Sequence, residues 1–163
     1  MENPPENLIS FEGNSENLPR NLELETRFRN LVCSKYRIVS DVSNSYNCMA
    51  WANQDMEKIW WPKDCPDVYW PDKSFDKTPN GFVNVFTQKG YEICDNPEHE
   101  IGCEKIALYL KYNDVKHVAY QRSDGVWTSK CGEDWHDIEH ELFGLECELY
   151  GKAEIFLKRK CNI

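Results

Sequence analysis

The sequence lacks most of the short motifs that identify a catalytic or nucleotide-binding chemistry. It has no phosphate-binding loop, no dinucleotide-binding fingerprint, no Gly-x-Ser-x-Gly elbow and no His-Glu-x-x-His zinc motif. It also has no Cys-x-x-Cys pair and no internal repeat. We therefore expect neither a bound cofactor nor a metal ion.

Basic residues and long apolar runs are also scarce. The 19 Lys and Arg residues face 28 Asp and Glu residues, which gives a net charge of −9 and argues against nucleic-acid binding. No apolar run approaches the roughly 20 residues of a transmembrane helix, and the start lacks the features of a signal peptide. We expect a cytoplasmic protein that binds no membrane, with delivery by a dedicated secretion system left open. An acidic surface favours a protein partner with a basic surface.

Length and composition predict one folded domain preceded by a leader. Residues 1–22 are rich in Pro and Asn and poor in large apolar side chains, which predicts a flexible segment. Residues 23–163 are enough for a single domain with a real core. Because a domain with such a core is stable without disulfide bonds, we interpret the eight cysteines as free thiols, most of them buried.

The hydrophobic pattern predicts helices first and strands later. This order indicates an α+β fold rather than alternating β-α-β units. Predicted helices cover 22–36, the segment that begins at Cys48, and 81–90. Predicted strands cover 36–39, 105–110, 115–121, 126–130 and 152–159.

Cys48 and His117 are the best candidates for catalysis. Cys48 follows a polar loop at a predicted helix start, with Ser45 or Asn47 as its cap. A helix start and a nearby imidazolium are the usual means of stabilising a thiolate. His117 lies in a predicted strand, so a helix packed on the sheet would bring the two side chains together.

The hairpin after His117 suggests which residue orients its ring. A three-residue loop over 123–125 places His117 opposite Cys131 and puts Ser129 on the same side of the sheet. A two-residue turn at Asp124 and Gly125 would bring Thr128 and Lys130 to that side instead. We favour the longer loop and therefore Ser129.

Several structural interpretations compete with these functional ones. A single Cys on an apolar helix is usually a core residue, and a lone His in a strand is more often structural than a base. A zinc site at Cys94, His99 and Cys103 fits no common spacing. His136 and His140 form an i, i+4 pair, but most such pairs are solvated.

An ordered set of motifs between residues 35 and 160 resembles a known family. The motifs include Tyr46-Asn47-Cys48-Met49-Ala50-Trp51-Ala52, Trp60-Trp61-Pro62, Tyr69-Trp70-Pro71, His117-Val118-Ala119 and Trp127-Thr128-Ser129-Lys130. They resemble an uncharacterised, mostly bacterial domain family of unknown function, whose members look like distant relatives of NlpC-type papain-like cysteine amidases and peptidases.

The resemblance implies a fold, an activity and a site. The fold is a papain-like α+β domain, in which an N-terminal helix that carries Cys48 packs on an antiparallel sheet. The activity is amide hydrolysis by a peptidase, amidase or glutamine deamidase. The missing export signal, rather than the resemblance, favours a setting inside a cell, as a toxin, effector or defence component. The catalytic residues are Cys48, His117 and Ser129, although the chain departs from the pattern because Ser129 is not the expected His, Asn or Asp. Expected substrate-binding residues are Tyr46, Asn47, Trp51, Trp60, Trp61, Trp70 and Lys130.

A second hypothesis needs no catalysis. The Trp and Pro residues between 60 and 71 would line an aromatic groove, and the domain would bind a protein partner. Cys48 would then be a buried core residue.

Overall fold

A computed structural model describes residues 20–132 and 136–161. The α-helices are α1 (Leu22–Arg27), α2 (Cys48–Ala52) and α3 (Pro79–Thr87). Two short 3-10 helices span Arg29–Cys33 and Leu142–Leu145. The strands are β1 (Tyr36–Ile38), β2 (Ile59–Trp60), β3 (Val68–Tyr69), β4 (Glu92–Cys94), β5 (Cys103–Lys111), β6 (Asp114–Gln121), β7 (Trp127–Lys130), β8 (Asp137–His140) and β9 (Lys152–Lys160).

One seven-stranded antiparallel sheet dominates the molecule. Its strand order is β1-β8-β7-β6-β5-β9-β4, and β2 and β3 form a separate parallel pair. Strands β5 and β6 meet in a tight turn, where Tyr112 and Asn113 both have positive φ as hairpin turns require. Strand β9 inserts between β5 and β4, so the last strand of the chain completes the sheet.

Both faces of the sheet are covered, because its central strands are apolar on both sides. One face packs against α2, α3 and the Trp-rich loops through residues such as Leu108 and Val118. The other face packs against α1 and the 3-10 helices through residues such as Tyr109 and Trp127. Side chains alternate between these two cores along each strand.

The predicted papain-like α+β fold is wrong. The helices are short, at six, five and nine residues, and the sheet has seven strands. The predicted helix over 22–36 breaks after Arg27 into a 3-10 turn, and Tyr36 already belongs to a strand. Residues 137–140, for which no strand was predicted, form strand β8, second from the β1 edge of the sheet, and His140 is buried rather than solvated.

Other element predictions are confirmed. Helix α2 begins at Cys48, and α3 overlaps the predicted 81–90 but begins two residues earlier, at Pro79, and ends before Gly90. Strands β1, β5, β6, β7 and β9 occupy the predicted segments. The predicted leader over 1–22 lies mostly outside the described residues. Within the described part of the chain, no helix has the length and apolar character needed to cross a membrane.

Candidate functional site

Asn47 fixes the start of α2 and thereby the position of Cys48. Its side-chain oxygen accepts hydrogen bonds from the backbone N–H of Ala50 at 3.1 Å and of Trp60 at 3.1 Å. Its amide nitrogen donates to the carbonyl of Trp60 at 2.8 Å. The predicted cap is therefore confirmed, and the same side chain ties α2 to strand β2.

Cys48 lies where strands β6 and β7 separate. The described ladder between them consists of Gln121 with Trp127 and Tyr120 with Thr128, which confirms the three-residue hairpin loop. Beyond Tyr120 the described pairing ends, and the backbone N–H of Val118 lies near enough to the Cys48 sulfur to lower the pKa of the thiol. The thiol therefore sits against the peptide that directly follows His117.

The Cys48 thiol is protonated at neutral pH in this structure. Only 7% of the residue is exposed, and burial raises the pKa of the thiol to about 11. The backbone N–H groups of Val118, Met49 and Cys48 itself, together with the charge of Lys130, act in the opposite direction. These donors would stabilise a negative charge that develops on the sulfur.

The His117 ring is enclosed on the other face of the sheet. It stacks flat on Tyr150, with ring centroids 4.2 Å apart and 9° between the ring planes. Tyr109 meets it edge-on at 5.2 Å. Burial, and secondarily the charge of His140, lower the pKa of His117 well below its usual value, so the ring is neutral.

A chain of hydrogen bonds runs from His117 across three strands. His117 Nε2 lies 2.9 Å from Ser129 Oγ, and Ser129 Oγ lies 2.7 Å from His140 Nε2. His140 Nδ1 lies 2.8 Å from the carbonyl oxygen of Glu141. The three side chains are fully buried, and burial lowers the pKa of His140 to about 4.

The direction of this chain follows from its last member. A carbonyl oxygen only accepts, so His140 Nδ1 carries the proton and, in the neutral ring, His140 Nε2 is an acceptor. Ser129 must then donate to His140 and accept from His117 Nε2–H. This leaves His117 Nδ1 without a proton, and it has no hydrogen-bond partner among the described residues. Such a nitrogen can act as a base.

The structure brings Ser129 and His117 together on one face of the sheet, whereas Cys48 belongs to the core on the opposite, α2 face. Ser129 and His117 are directly hydrogen-bonded, as the hairpin register predicted. Within the described residues no hydrogen bond joins Cys48 to His117, although the N–H of the adjacent residue, Val118, lowers the pKa of the Cys48 thiol. Burial raises the pKa of Tyr150, and negative charges on Cys131 and then on Cys48 raise it further. The Cys48 thiol is therefore close enough to interact electrostatically with Tyr150, the residue whose ring stacks on His117.

Three of the predicted substrate-binding residues lie on the α2 side of this region. The Trp51 indole N–H donates to Thr128 Oγ1 at 2.9 Å, and its ring stacks on Tyr46 with centroids 6.3 Å apart. The Lys130 ammonium lies 5.2 Å from the centroid of the Tyr46 ring and donates to the carbonyl of Ser43 at 2.7 Å. These side chains form a layer over β7, next to the start of α2.

The other predicted substrate-binding residues support the core. Trp60 and Trp70 are buried, and Trp61 is partly buried. Trp61 and Trp70 both meet the Phe82 ring edge-on, at 5.1 and 5.2 Å. Their packing onto α3 fills the space between the loops and the sheet, and the proposed aromatic groove stays a prediction.

Several residues of this region were not predicted from the sequence. His140, Tyr109 and Tyr150 surround or extend the His117 ring. A period of two over residues 137–140 would have indicated a strand with Ile138 and His140 on one face. Tyr150 lies far along the chain in a turn, and no local pattern connects it to His117.

Asp137 was also missed. It is 4% exposed and accepts a hydrogen bond from the Tyr46 hydroxyl at 2.5 Å. It pairs with Lys130 across strands β8 and β7, and burial raises its pKa. Burial raises the pKa of Tyr46 to about 12, and the hydrogen bond to the Asp137 carboxylate contributes a smaller share of this rise.

The alternative metal sites find no support in the geometry. The described ranges contain no cluster of three His, Cys, Asp or Glu side chains arranged to hold a metal ion. The His99 Nε2 contacts the carbonyl of Ser123 at 2.9 Å, and the His136 Nδ1 contacts the carbonyl of Ser40 at 2.8 Å.

Comparison with known proteins assigns a family. No curated protein and no solved structure matches the chain. A family described as a domain of unknown function, DUF7689, matches residues 37–158, which span every strand from β2 to β8 and most of β1 and β9. The chain therefore belongs to the DUF7689 family.

Proposed function

We propose that the chain is a cysteine-dependent amide hydrolase, with Cys48 as nucleophile, His117 as base and Ser129 as the residue that orients His117. The observation that carries the proposal is the unprotonated, unpartnered Nδ1 of His117, a histidine that directly precedes Val118, whose backbone N–H lowers the pKa of the Cys48 thiol. A base needs a free lone pair, a fixed ring and a nucleophile close by.

The first half of the reaction forms a thioester. The Cys48 sulfur bonds to the carbonyl carbon of the substrate amide while the thiol proton passes to His117 Nδ1. Because the thiol and the ring belong to opposite faces of the sheet, this transfer runs through the opening where β6 and β7 separate. The backbone N–H groups of Cys48 and Val118, which face the sulfur, are the nearest donors for the oxyanion. The C–N bond then breaks, and His117 Nδ1 returns its proton to the leaving amine.

The second half restores the enzyme. A water molecule gives a proton to His117 Nδ1 as its oxygen bonds to the thioester carbon. The C–S bond breaks, the carboxylic acid leaves, and the proton returns from His117 to the Cys48 sulfur. Throughout the cycle Ser129 keeps the Nε2 side of the ring occupied, so that only Nδ1 exchanges protons.

In this proposal Cys48 and His117 are both neutral before the substrate binds. Burial raises the pKa of Cys48 and lowers that of His117, which disfavours a resting thiolate and imidazolium pair. The proton therefore moves during the attack, as in serine hydrolases, rather than before it.

Acyl transfer from an activated ester tests the proposal. The chain is mixed with p-nitrophenyl acetate at neutral pH, and nitrophenolate release is followed while mass spectrometry locates any acetyl thioester. We expect one acetyl group on Cys48, and we expect Cys48→Ala to abolish it. His117→Gln should slow acylation about 100-fold or more, the usual contribution of a positioned base.

Cys131→Ala is the matched control, because Cys131 is a second buried thiol, 1% exposed, outside the proposed mechanism. This variant should acylate at Cys48 like the unmodified chain. An acetyl group spread over the exposed cysteines, or a Cys48 rate unchanged in His117→Gln, would contradict the assignment.

A further inference from the structure

Strand β4 leaves one edge of the sheet unpaired. It is the last strand in the sheet order and pairs with β9, and no other described backbone group bonds to it across its outer edge. A groove of about 410 Å³ follows β4 and the segment after it. A free edge of this kind accepts an added strand through main-chain hydrogen bonds.

An apolar row runs across the sheet and ends exposed at this edge. Ile106 on β5 and Leu157 on β9 are opposite each other and are fully buried. Ile93 on β4 is opposite Leu157 on the same face, but it is 62% exposed. An added strand would place its own side chain beside Ile93 and continue the row.

A second row, on the other face, is charged and consists of Lys105, Lys158 and Glu92. The fully buried Lys105 bonds to Glu100 at 2.7 Å, and Lys158 bonds to the other oxygen of Glu100 at 3.1 Å. Glu92 on β4 lies directly opposite Lys158, and its charge helps to raise the pKa of Lys158, after Glu100. The position beyond Glu92 would therefore face an exposed carboxylate, which favours a cation.

We propose that the outer edge of β4 binds an extended segment of a partner protein in which basic and apolar side chains alternate. The residue beside Glu92 would be Lys or Arg, and its neighbour along the segment would be apolar and lie beside Ile93. Successive strand residues point to opposite faces, so the two rows dictate this alternation. The net charge of −9 favours approach of a basic segment.

Peptide binding tests the proposal. A short fluorescent peptide of alternating lysine and valine, capped at both ends, is titrated with the full chain and followed by anisotropy. Peptides of alternating glutamate and valine, and of alternating lysine and serine, are compared with it. We expect saturable binding of the lysine and valine peptide that weakens as salt rises, and at least about tenfold weaker binding of the other two.

Two pairs of variants locate the site. Ile93→Lys should abolish binding, and Glu92→Lys should weaken it about tenfold by replacing an attractive pair with a repulsive one. The matched controls are Tyr112→Lys, at a residue 88% exposed on the β5–β6 turn, and Glu148→Lys, at a side chain 96% exposed. Both should bind like the unmodified chain, as should Cys48→Ala, since this surface is independent of the proposed chemistry.

Three results would overturn the proposal. One is the absence of saturable binding, and another is equal loss of binding in Glu92→Lys and Glu148→Lys, which would indicate net charge alone. The third is self-association of the chain without peptide that Ile93→Lys removes, because the occupant of the edge would then be a second copy. Thermal unfolding of each variant confirms that the exposed substitutions leave the fold intact.

Discussion

At the scale of single residues, the Glu141 carbonyl oxygen determines which nitrogen of His117 carries the proton, although the two residues are not in contact. The Glu141 carbonyl fixes the tautomer of His140, His140 fixes the direction of the Ser129 hydroxyl, and Ser129 fixes His117. Each step follows from which atoms can only donate or only accept. The result is a base with its free nitrogen fixed in one place.

Removal of Ser129 should break this chain at its centre. Ser129→Ala removes the hydrogen-bond partner of Nε2 in both buried histidines, and we expect a loss of about 3 kcal/mol in the free energy of unfolding. Urea unfolding measures the loss, with Ser45→Ala, at an exposed position, as the control that should change stability little. A Ser129→Ala protein as stable as Ser45→Ala would show that the hydroxyl carries no structural hydrogen bonds.

The rate at which Cys48 is alkylated should report its raised pKa. Since burial raises that pKa to about 11, the thiolate fraction and the rate with iodoacetamide should rise about tenfold per pH unit from pH 7 to pH 10. The exposed Cys33 provides the reference within the same molecule. A plateau for Cys48 near neutral pH, measured by peptide mass spectrometry, would mean that a thiolate is already formed.

At the scale of elements, irregular pairing surrounds the site. The β5–β6 ladder shifts register between Tyr109 and Leu110, and the β5–β9 ladder shifts between Leu108 and Tyr109. Both shifts lie at the level of His117, which pairs with Tyr109. Bulges of this kind re-aim side chains, and these two bring Tyr109 against the His117 ring.

The entry into β9 depends on the absence of a side chain at Gly151. Its φ is +74°, and a Cβ there would lie 1.9 Å from the carbonyl oxygen of Leu110. We expect Gly151→Ala to lower the free energy of unfolding by about 3 kcal/mol, from backbone strain and a steric clash together.

Substitution of Gly102 distinguishes the effect of backbone strain from that of the steric clash. Its φ is +80°, but no described atom lies within 4 Å of a Cβ placed there. Gly102→Ala should therefore lose only about 1 kcal/mol, from the strain alone. Equal losses in the two variants, measured by chemical denaturation, would rule out the clash at Gly151.

Local patterns predicted the elements whose signals are local. The cap at Asn47, the turn at residues 123–125 and the alternation of β5, β6, β7 and β9 were all readable from the sequence. The same hairpin register predicted the contact between Ser129 and His117. Strands β2 and β3 are two residues each, too short for any periodic signal.

The remainder depends on contacts between distant parts of the chain. In strand β8 the acidic residues Asp137 and Glu139 alternate with Ile138 and His140. The two carboxylates are buried because Arg37, Arg122 and Tyr46 pair with them. The predicted helix over 22–36 stops early because Tyr36 is recruited into the sheet beside His140. Such tertiary pairing overrides local propensity and cannot be read from one segment.

At the scale of the whole molecule, buried neutral histidines make stability depend on pH. The unfolded chain binds a proton at each histidine near pH 6.5, whereas folded His140 does so only near pH 4. The unfolded state therefore binds more protons between these values, and stability falls as the pH drops through that window. The raised pKa values of Asp137 and Glu141, both caused by burial, act in the opposite direction.

Comparison with His140→Gln isolates the histidine contribution. The unmodified chain should lose roughly 3 kcal/mol more than the variant between pH 7 and pH 4, which is the free energy of keeping His140 neutral. The measurement is urea unfolding at a series of pH values. Parallel pH profiles for the two proteins would show that His140 is not held neutral by the fold.

Release of free amine from peptide amides tests the proposed hydrolase most directly. The chain is incubated with a mixture of short peptides, and new amino groups or ammonia are quantified over time together with the products. We predict turnover by the unmodified chain and by Cys131→Ala, and none by Cys48→Ala. Turnover that persists in Cys48→Ala, or its absence in all three proteins although Cys48 accepts an acetyl group, would contradict amide hydrolysis by this site.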